Sequence, residues 1–274
     1  MSGPFTILCI GGSDSGAGAG IQADLKAAAA CGCYATTVIT ALTAQNTLGV
    51  QNIFPVSGKF VALQIDAVLS DIGADAVKTG MLLTRAAVDV VVKKIREYGL
   101  KNVVVDPVMI AKGGRAMMQD AARRAVVENL LPLSLVVTPN IPEAEVLSHK
   151  KIRTVADMKK AAAIICETGV KQVVVKGGHL PGSRKNGGVD ILFDGERYFE
   201  FQADWIETKN THGTGCTFAS ALASRLAAGD PVARAVEEAK RIVTAAIAGS
   251  LPLGKGHGPV NSFGKMYEFF WRKK

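Results

Sequence analysis

No stretch of the 274-residue chain approaches the roughly 18 consecutive apolar residues that a membrane-spanning helix needs. The N-terminal apolar run Phe5 to Ile10 is short, has no basic leader and stops at Gly11-Gly12, so a signal peptide is not expected and a soluble, cytoplasmic protein is. Cysteine is sparse and odd in number, five in all, which argues against a disulfide framework and for a reducing compartment. Cys31-Gly-Cys33 has no second ligand pair at zinc spacing and the four histidines are scattered singly, which argues against a structural metal. Aromatic residues are few, and no arginine-rich arm or aromatic-interleaved basic stripe accompanies the net charge of +8, so the surface suits anions without pointing to nucleic acid. No G-x-x-x-x-G-K-[ST] occurs, which excludes a P-loop. Gly18-Ala-Gly-Ile-Gln-Ala23 matches a dinucleotide fingerprint, but no Asp or Glu lies between Asp24 and Asp66 to hold a ribose, so NAD is discounted. No Pro/Ser-rich or charge-rich linker divides the chain, and one domain over 1–274 is expected.

What is present is an alternation of buried-type strands and amphipathic helices. Strands are expected at Phe5 to Ile10, Thr36 to Leu42, Ala76 to Lys78, Asn102 to Asp106, Leu135 to Thr138 and Gln172 to Lys176. Helices are expected at Ile21 to Ala30, Ser57 to Asp71, Thr84 to Tyr98, Val155 to Glu167, Thr217 to Ala228 and Pro231 to Ser250, with a last short one beyond Val260. Val189 to Phe193 and Tyr198 to Phe201 flank Asp194-Gly195 as an antiparallel hairpin does. The pattern implies a three-layer α/β fold with a mostly parallel sheet.

The most informative stretch is Thr208-Lys-Asn-Thr-His-Gly-Thr-Gly-Cys-Thr217, a glycine-punctuated turn feeding an alanine-rich helix. Such a turn aims several unpaired N–H groups at one spot, where an anion belongs. Cys216 sits in that first turn, where the helix dipole favours a thiolate; the plainer alternative is a tight loop with an inert, buried cysteine.

Several polar residues follow expected strands, whose C-terminal ends face the ligand crevice in open α/β sheets. Asp106 and Glu143 can together hold Mg²⁺, which takes few protein oxygens and leaves room for phosphates; helix capping or dipole compensation is the plainer role for each. Lys176, beside Gly177-Gly178, can reach a polyphosphate as a point charge. The Gln45 amide offers the donor and acceptor that recognise an amino group next to a ring nitrogen. His179, His212 and His257 sit beside glycines in loops, and no chemistry is assigned to them.

Taken together, the chain resembles the ribokinase-like superfamily and, within it, the hydroxymethylpyrimidine/phosphomethylpyrimidine kinases of thiamine biosynthesis. The likeness spans nearly the whole length. It rests on Gly12-Ser-Asp-Ser15 with Ala19-Gly-Ile-Gln-Ala-Asp-Leu-Lys26, Ile39 to Thr47, Thr79-Gly-Met81, Asp106-Pro-Val-Met109, Thr138-Pro-Asn140 with Pro142-Glu143-Ala144, and Lys176-Gly-Gly-His179. Thr211-His-Gly-Thr-Gly-Cys216 and Gly256-His-Gly-Pro259 are its most specific parts. Most superfamily members carry an aspartate where Cys216 stands; cysteine there is typical of this branch and of some related vitamin B6 kinases.

The resemblance implies a three-layer α/β/α ribokinase-like fold and ATP-dependent phosphorylation of 4-amino-5-hydroxymethyl-2-methylpyrimidine, then of its monophosphate to the diphosphate. It implies that Gln45 binds the aminopyrimidine in a pocket lined by Gly12, Ala19, Met81 and Val108. Asp106 and Glu143 would hold Mg²⁺ directly or through water. Lys176, Asn140 and Lys112 would serve ATP, and Gly213, Thr214, Gly215 and Cys216 would form the anion hole and its reactive group. A homodimer is usual in the family. Gly16-Ala17, where Ser-Gly is frequent, and Gly113, where serine is common, depart from the pattern. The rivals are a pyridoxal kinase using the same phosphate machinery and a non-catalytic pyrimidine-binding protein on this fold.

Overall fold

The computed structural model describes residues 3–109, 117–178 and 180–264. Lys112, Gly113 and His179 lie outside the described residues, as does most of the helix expected beyond Val260. In chain order the elements are β1 (Thr6–Asp14), α1 (Gly20–Ala30), β2 (Tyr34–Asn46), β3 (Gly49–Pro55), α2 (Gly58–Leu69), β4 (Ala76–Thr79), α3 (Arg85–Glu97) and β5 (Val103–Val105). Helix α4 (Asp120–Ala125) runs on through a π turn and a 3-10 turn to β6 (Val136–Val137), α5 (Ile141–Ser148), α6 (Val155–Cys166), β7 (Gln172–Lys176) and the short α7 (Ser183–Asn186). Then come β8 (Gly188–Phe193), β9 (Tyr198–Ala203), α8 (Thr214–Ala227) and α9 (Val232–Ala248).

The strands form one nine-stranded sheet in the order β3-β2-β1-β4-β5-β6-β7-β8-β9. The six strands from β2 to β7 in that order are parallel, and antiparallel pairs flank them on both sides. Because strand side chains alternate between faces, β1 serves two cores at once. Leu8 and Ile10 join Val61 and Ile65 of α2, Val88 and Val91 of α3 and Met158 of α6, whereas Ile7 and Cys9 join Ala28 of α1, Phe218 and Leu222 of α8 and Val236 of α9. Helices on both faces of a mostly parallel sheet make three layers, the ribokinase-like arrangement expected.

Helix starts carry their own signals. Ser57 and Thr84 each accept a hydrogen bond from the backbone three residues on, and Asn140 with Glu143 and Thr154 with Asp157 form capping boxes. Three local differences from the sequence reading matter for function. Strand β1 continues through Gly11-Gly-Ser-Asp14, and β2 runs on to Asn46, so Gln45 stands on a strand that pairs with the unexpected β3. Helix α8 begins at Thr214, three residues before the expected start, which brings Gly215 and Cys216 inside its first turn. Asp106 caps no helix among the described residues, since the chain after it continues irregularly to Met109. No helix of the described residues is long and apolar enough to cross a membrane.

Candidate active site

Strand β1 has β2 on one side and β4 on the other, so its C-terminal end lies where the strand order reverses, the usual place for a ligand crevice. A cavity of about 300 Å³ opens there, with Gly12, Ala19, Gln45, Met81, Val108 and Cys216 in its wall. A second cavity of about 610 Å³ adjoins it, with Pro142, Trp205, Ile206, Val243 and Ile247 giving it an apolar side. Asn140, Glu143, Lys176, Thr211, Thr214 and Gly215 line both. The crevice therefore has two chambers that meet at the start of α8.

Gly213 is the N-cap of α8, at φ +84°, and no side chain caps the helix. This leaves the first-turn N–H groups of a 14-residue helix to an anion. The position requires glycine twice over: its φ is left-handed, and a Cβ there would stand 1.8 Å from the Gly18 carbonyl oxygen. A Cβ on Gly215 would lie 3.4 Å from Lys176 Nζ and 3.5 Å from Asp106 Oδ2, so the helix start, the lysine and the carboxylate converge.

Lys176 Nζ donates to Asp106 Oδ1 at 3.0 Å, and Thr138 Oγ1 donates to the same oxygen at 3.3 Å. Burial pulls the Lys176 ammonium down, but Asp106 and Glu143 hold it above its ordinary value. Glu143 Oε2 accepts from the Asn140 N–H at 2.9 Å while Asn140 Oδ1 accepts from the Glu143 N–H, also at 2.9 Å. Burial, opposed by Lys176 and reinforced by Asp106, pushes the Glu143 carboxyl up to about 7. Glu143 thus both caps α5 and faces the crevice.

The Cys216 thiol is pushed up to about 12 by burial, which outweighs the pull of the Lys78 ammonium. The thiolate expected from the helix dipole is therefore not the resting state; desolvation is the larger effect here. Beneath Cys216, Lys78 Nζ contacts both oxygens of Asp24, at 2.8 and 2.9 Å, with neither residue exposed. Burial favours a neutral Lys78, but Asp24, Cys216 and Asp106 together hold it well above its usual value.

The family model described as phosphomethylpyrimidine kinase matches residues 14–261 of this chain. The chain belongs to that family. It is 46% identical over 259 residues to a hydroxymethylpyrimidine/phosphomethylpyrimidine kinase of Bacillus subtilis, covering 94% of this chain and 95% of the relative. It is 52% identical over 256 residues to the thiamine biosynthesis bifunctional protein ThiED of Geobacter sulfurreducens, covering 93% of this chain but 52% of the relative, so it spans about half the length of that bifunctional protein. Among solved structures, an ADP complex of Bacillus subtilis pyridoxal kinase superposes with a TM-score of 0.89 at 40% identity, over 95% of this chain and 98% of that one. Family membership makes the chain a small-molecule kinase.

For this kinase, Gly12, Ala19, Gln45, Met81, Val108, Asp106, Asn140, Glu143, Lys176 and Gly213 to Cys216 all border one cavity. Gly12 packs so closely on Met81 that a Cβ there would meet Met81 Cε at 2.3 Å. Several further residues to which the sequence assigns no role stand around the site. Asp14 accepts N–H bonds from Gly16, Gly18 and Ala19 at 2.8, 3.1 and 2.8 Å and lies 2.9 Å from His212 Nε2. Although burial works the other way, His212 and these amides hold the Asp14 carboxyl below its ordinary value. His212 Nε2 in turn lies 3.2 Å from Gln45 Nε2. Lys240 Nζ donates to Asp190 Oδ2 at 2.8 Å while Asp190 Oδ1 accepts from the Gly177 N–H at 2.8 Å, which braces the turn after Lys176. The glycines beside Asp14 and His212 were a signal for close turns; nothing local marked Lys78 or Lys240.

Proposed function

We propose that this protein phosphorylates 4-amino-5-hydroxymethyl-2-methylpyrimidine and then its monophosphate, with ATP as the donor. The observation that carries the reading is the pair of adjoining chambers that share the start of α8, Lys176 and Glu143. The smaller chamber suits a substituted pyrimidine, and the larger, with its apolar side, suits a nucleoside. A phosphoryl group passing between them lies against the first-turn N–H groups of α8 and within reach of Lys176. There the protein's task is positioning and electrostatic stabilisation of charge on the migrating group.

In this reading Gln45 fixes the pyrimidine, and Met81 and Val108 supply apolar walls. Asn140 and Lys176 serve the donor phosphates; Lys112 is proposed beside them from the family resemblance alone. Cys216 acts through its minor thiolate form, which the Lys78 ammonium favours against burial; that thiolate takes the hydroxymethyl proton as charge develops on the oxygen and becomes the thiol. Asp106 and Glu143 fit a magnesium ion: both are buried carboxylates that border the same cavity, and Mg²⁺ takes one or two carboxylates while keeping water and substrate phosphates as its other ligands. When bound, Mg²⁺ neutralises phosphate charge. Binding it also favours the ionised form of Glu143.

A homodimer is proposed through the β3 edge, where Leu42 and its cross-strand neighbour Phe54 stand 46% and 68% exposed. Pyridoxal is the second substrate class to test, favoured by the structural likeness to the Bacillus subtilis pyridoxal kinase. The test is ATP consumption with each alcohol, read with mass detection of mono- and diphosphate products. Turnover of pyridoxal alone would replace the pyrimidine reading, and turnover of neither would remove both.

A further inference from the structure

The hydrogen-bond partners of Gln45 carry more information than their distances. Gln45 Oε1 lies 3.1 Å from Thr43 Oγ1, and Gln45 Nε2 lies 3.2 Å from His212 Nε2. An amide exchanges its two ends by a half-turn about its terminal bond with almost no change in shape, so the neighbouring protons decide its orientation.

Those protons can be counted. The Thr43 hydroxyl has one, and it points to the Ser13 carbonyl oxygen at 2.9 Å, an atom that can only accept. Toward Gln45, Thr43 therefore has only a lone pair. On the other side, Asp14 is an anion that already takes three backbone N–H bonds. Its Oδ2 stands 2.9 Å from His212 Nε2, and two lone pairs do not face each other at that distance. His212 Nε2 therefore carries a proton. Both neighbours then ask for the same amide orientation: NH₂ toward Thr43 and carbonyl oxygen toward His212.

We propose that His212 is a positioning residue for substrate recognition, holding the Gln45 amide with its oxygen on the Nε2–H and its NH₂ on Thr43. One Nε2–H is shared between Asp14 and Gln45. The inner lobes of the amide, one lone pair and one N–H, remain for the ligand. The exocyclic amine of an aminopyrimidine then meets the oxygen on the His212 side, and the adjacent ring nitrogen meets the N–H on the Thr43 side.

The ring is built in to do this. A Cβ on Gly18 would fall 2.2 Å from His212 Cδ2, so the imidazole is wedged against that glycine. The His212 N–H donates to the Gly258 oxygen and the Val260 N–H donates to the His212 oxygen, both at 3.1 Å. This gives the Gly256-His-Gly-Pro259 segment a role: it clamps the backbone on both sides of His212. Asn210 Oδ1 accepts from the Gly258 N–H at 3.1 Å and steadies the clamp.

The inference rests on the pyrimidine reading for its ligand but not for its proton. In ¹⁵N-labelled, ligand-free protein near neutral pH, long-range ¹H–¹⁵N correlation of the imidazole rings, with His212 assigned by its loss in His212→Gln, should find Nε2 protonated. A bare Nε2 overturns the proposal. For specificity, the parent enzyme should favour the 4-amino alcohol over its 4-deamino analogue about tenfold or more in KM, the loss expected when a buried polar partner goes unpaired. His212→Phe keeps the ring shape and removes the N–H, so that ratio should fall at least about threefold with KM for ATP unchanged; an unchanged ratio in the folded variant overturns the proposal. Should His212→Phe not fold, Thr43→Val should lose the preference and Thr43→Ser keep it, and equal ratios in those two variants count against it. If the parent phosphorylates no pyrimidine, the functional reading fails while the NMR result still decides the proton.

Discussion

Lys78 and Asp24 form an ion pair closed to solvent beneath Cys216, with Nζ 2.8 and 2.9 Å from the two carboxylate oxygens. Ser220 Oγ donates to Asp24 Oδ1 at 2.8 Å, so the pair ties β4, α1 and α8 together directly under the anion cradle. A buried pair is weak evidence for net stability, but removing one partner strands the other charge at a cost of about 3–5 kcal/mol. Lys78→Met and Asp24→Asn should each lower the unfolding free energy from urea titration by about 3–5 kcal/mol, and the double variant should recover much of it. In the folded double variant, alkylation of Cys216, read on its peptide by mass spectrometry, should be slower than in the parent, because the cation that favours its thiolate is gone. Single variants with parent-like midpoints would deny the pair its structural role.

Glu143 should give folding a pH dependence of a defined sign. Its carboxyl titrates at about 7 in the folded protein and near 4.5 when unperturbed, so between those values the folded state holds a proton that the unfolded state has released. Stability from this group is therefore lost as pH rises from about 4.5 to about 7. Glu143→Gln keeps a capping-box partner for Asn140 and should remove that loss, which unfolding midpoints across this range will read.

The same proton competes with magnesium. The Mg²⁺ concentration for half-maximal rate should fall in the parent as pH rises through about 7. Glu143→Gln and Asp106→Asn should need more Mg²⁺ and recover part of their rate when it is supplied, and the Glu143 variant should lose the pH trend. Parent-like Mg²⁺ dependence in Glu143→Gln, with stability lost only in Glu143→Ala, which removes the capping-box partner, would instead give the residue to capping alone.

Gln45→Leu should weaken pyrimidine binding about tenfold or more, since a buried polar pairing is worth about 1–3 kcal/mol. ATP affinity should hardly change, as the adjoining chamber is untouched. Calorimetric titration with each ligand checks both halves, and unaltered pyrimidine affinity would remove Gln45 from the site.

Cys216→Ala should separate the two phosphoryl transfers. An alcohol must lose a proton to attack, whereas a phosphate monoester is already an anion, and general-base help is typically worth roughly 10²–10⁴-fold. The first half-reaction should therefore slow far more than the second. Gly213→Ala should damage both, because its Cβ would stand 1.8 Å from the Gly18 oxygen at φ +84°. Equal losses in both half-reactions for Cys216→Ala would assign the proton to another group.

Phe54→Glu places a charge on the exposed β3 edge beside Leu42. Sedimentation should find a dimer for the parent and a monomer for the variant, with the unfolding midpoint of the isolated chain little changed. A dimeric variant would move the interface elsewhere.

Much of the architecture was legible in the chain alone, because most of the parallel strands carry short apolar, β-branched runs and most helices have a single apolar stripe. Each of those signals is local in sequence. The glycine turn before Cys216 and the carboxylates after their strands were legible for the same reason, since backbone freedom and strand-end position are local properties. Strand β3 was not legible: Gly49–Pro55 is half exposed, without the apolar alternation of a strand buried on one face, and it pairs only because β2 runs past the edge of the core.

What only the tertiary structure decided is the charge and proton state of the site. Local sequence favours a Cys216 thiolate through the helix dipole, whereas desolvation in the folded protein, larger than the pull of the Lys78 ammonium, favours the thiol. Asp14 and His212 are 198 residues apart and Lys78 and Asp24 are 54 apart, so no spacing rule links them. Desolvation depends on everything packed around a group, and a proton's position depends on partners from distant strands. Both exist only once the sheet has brought those strands together.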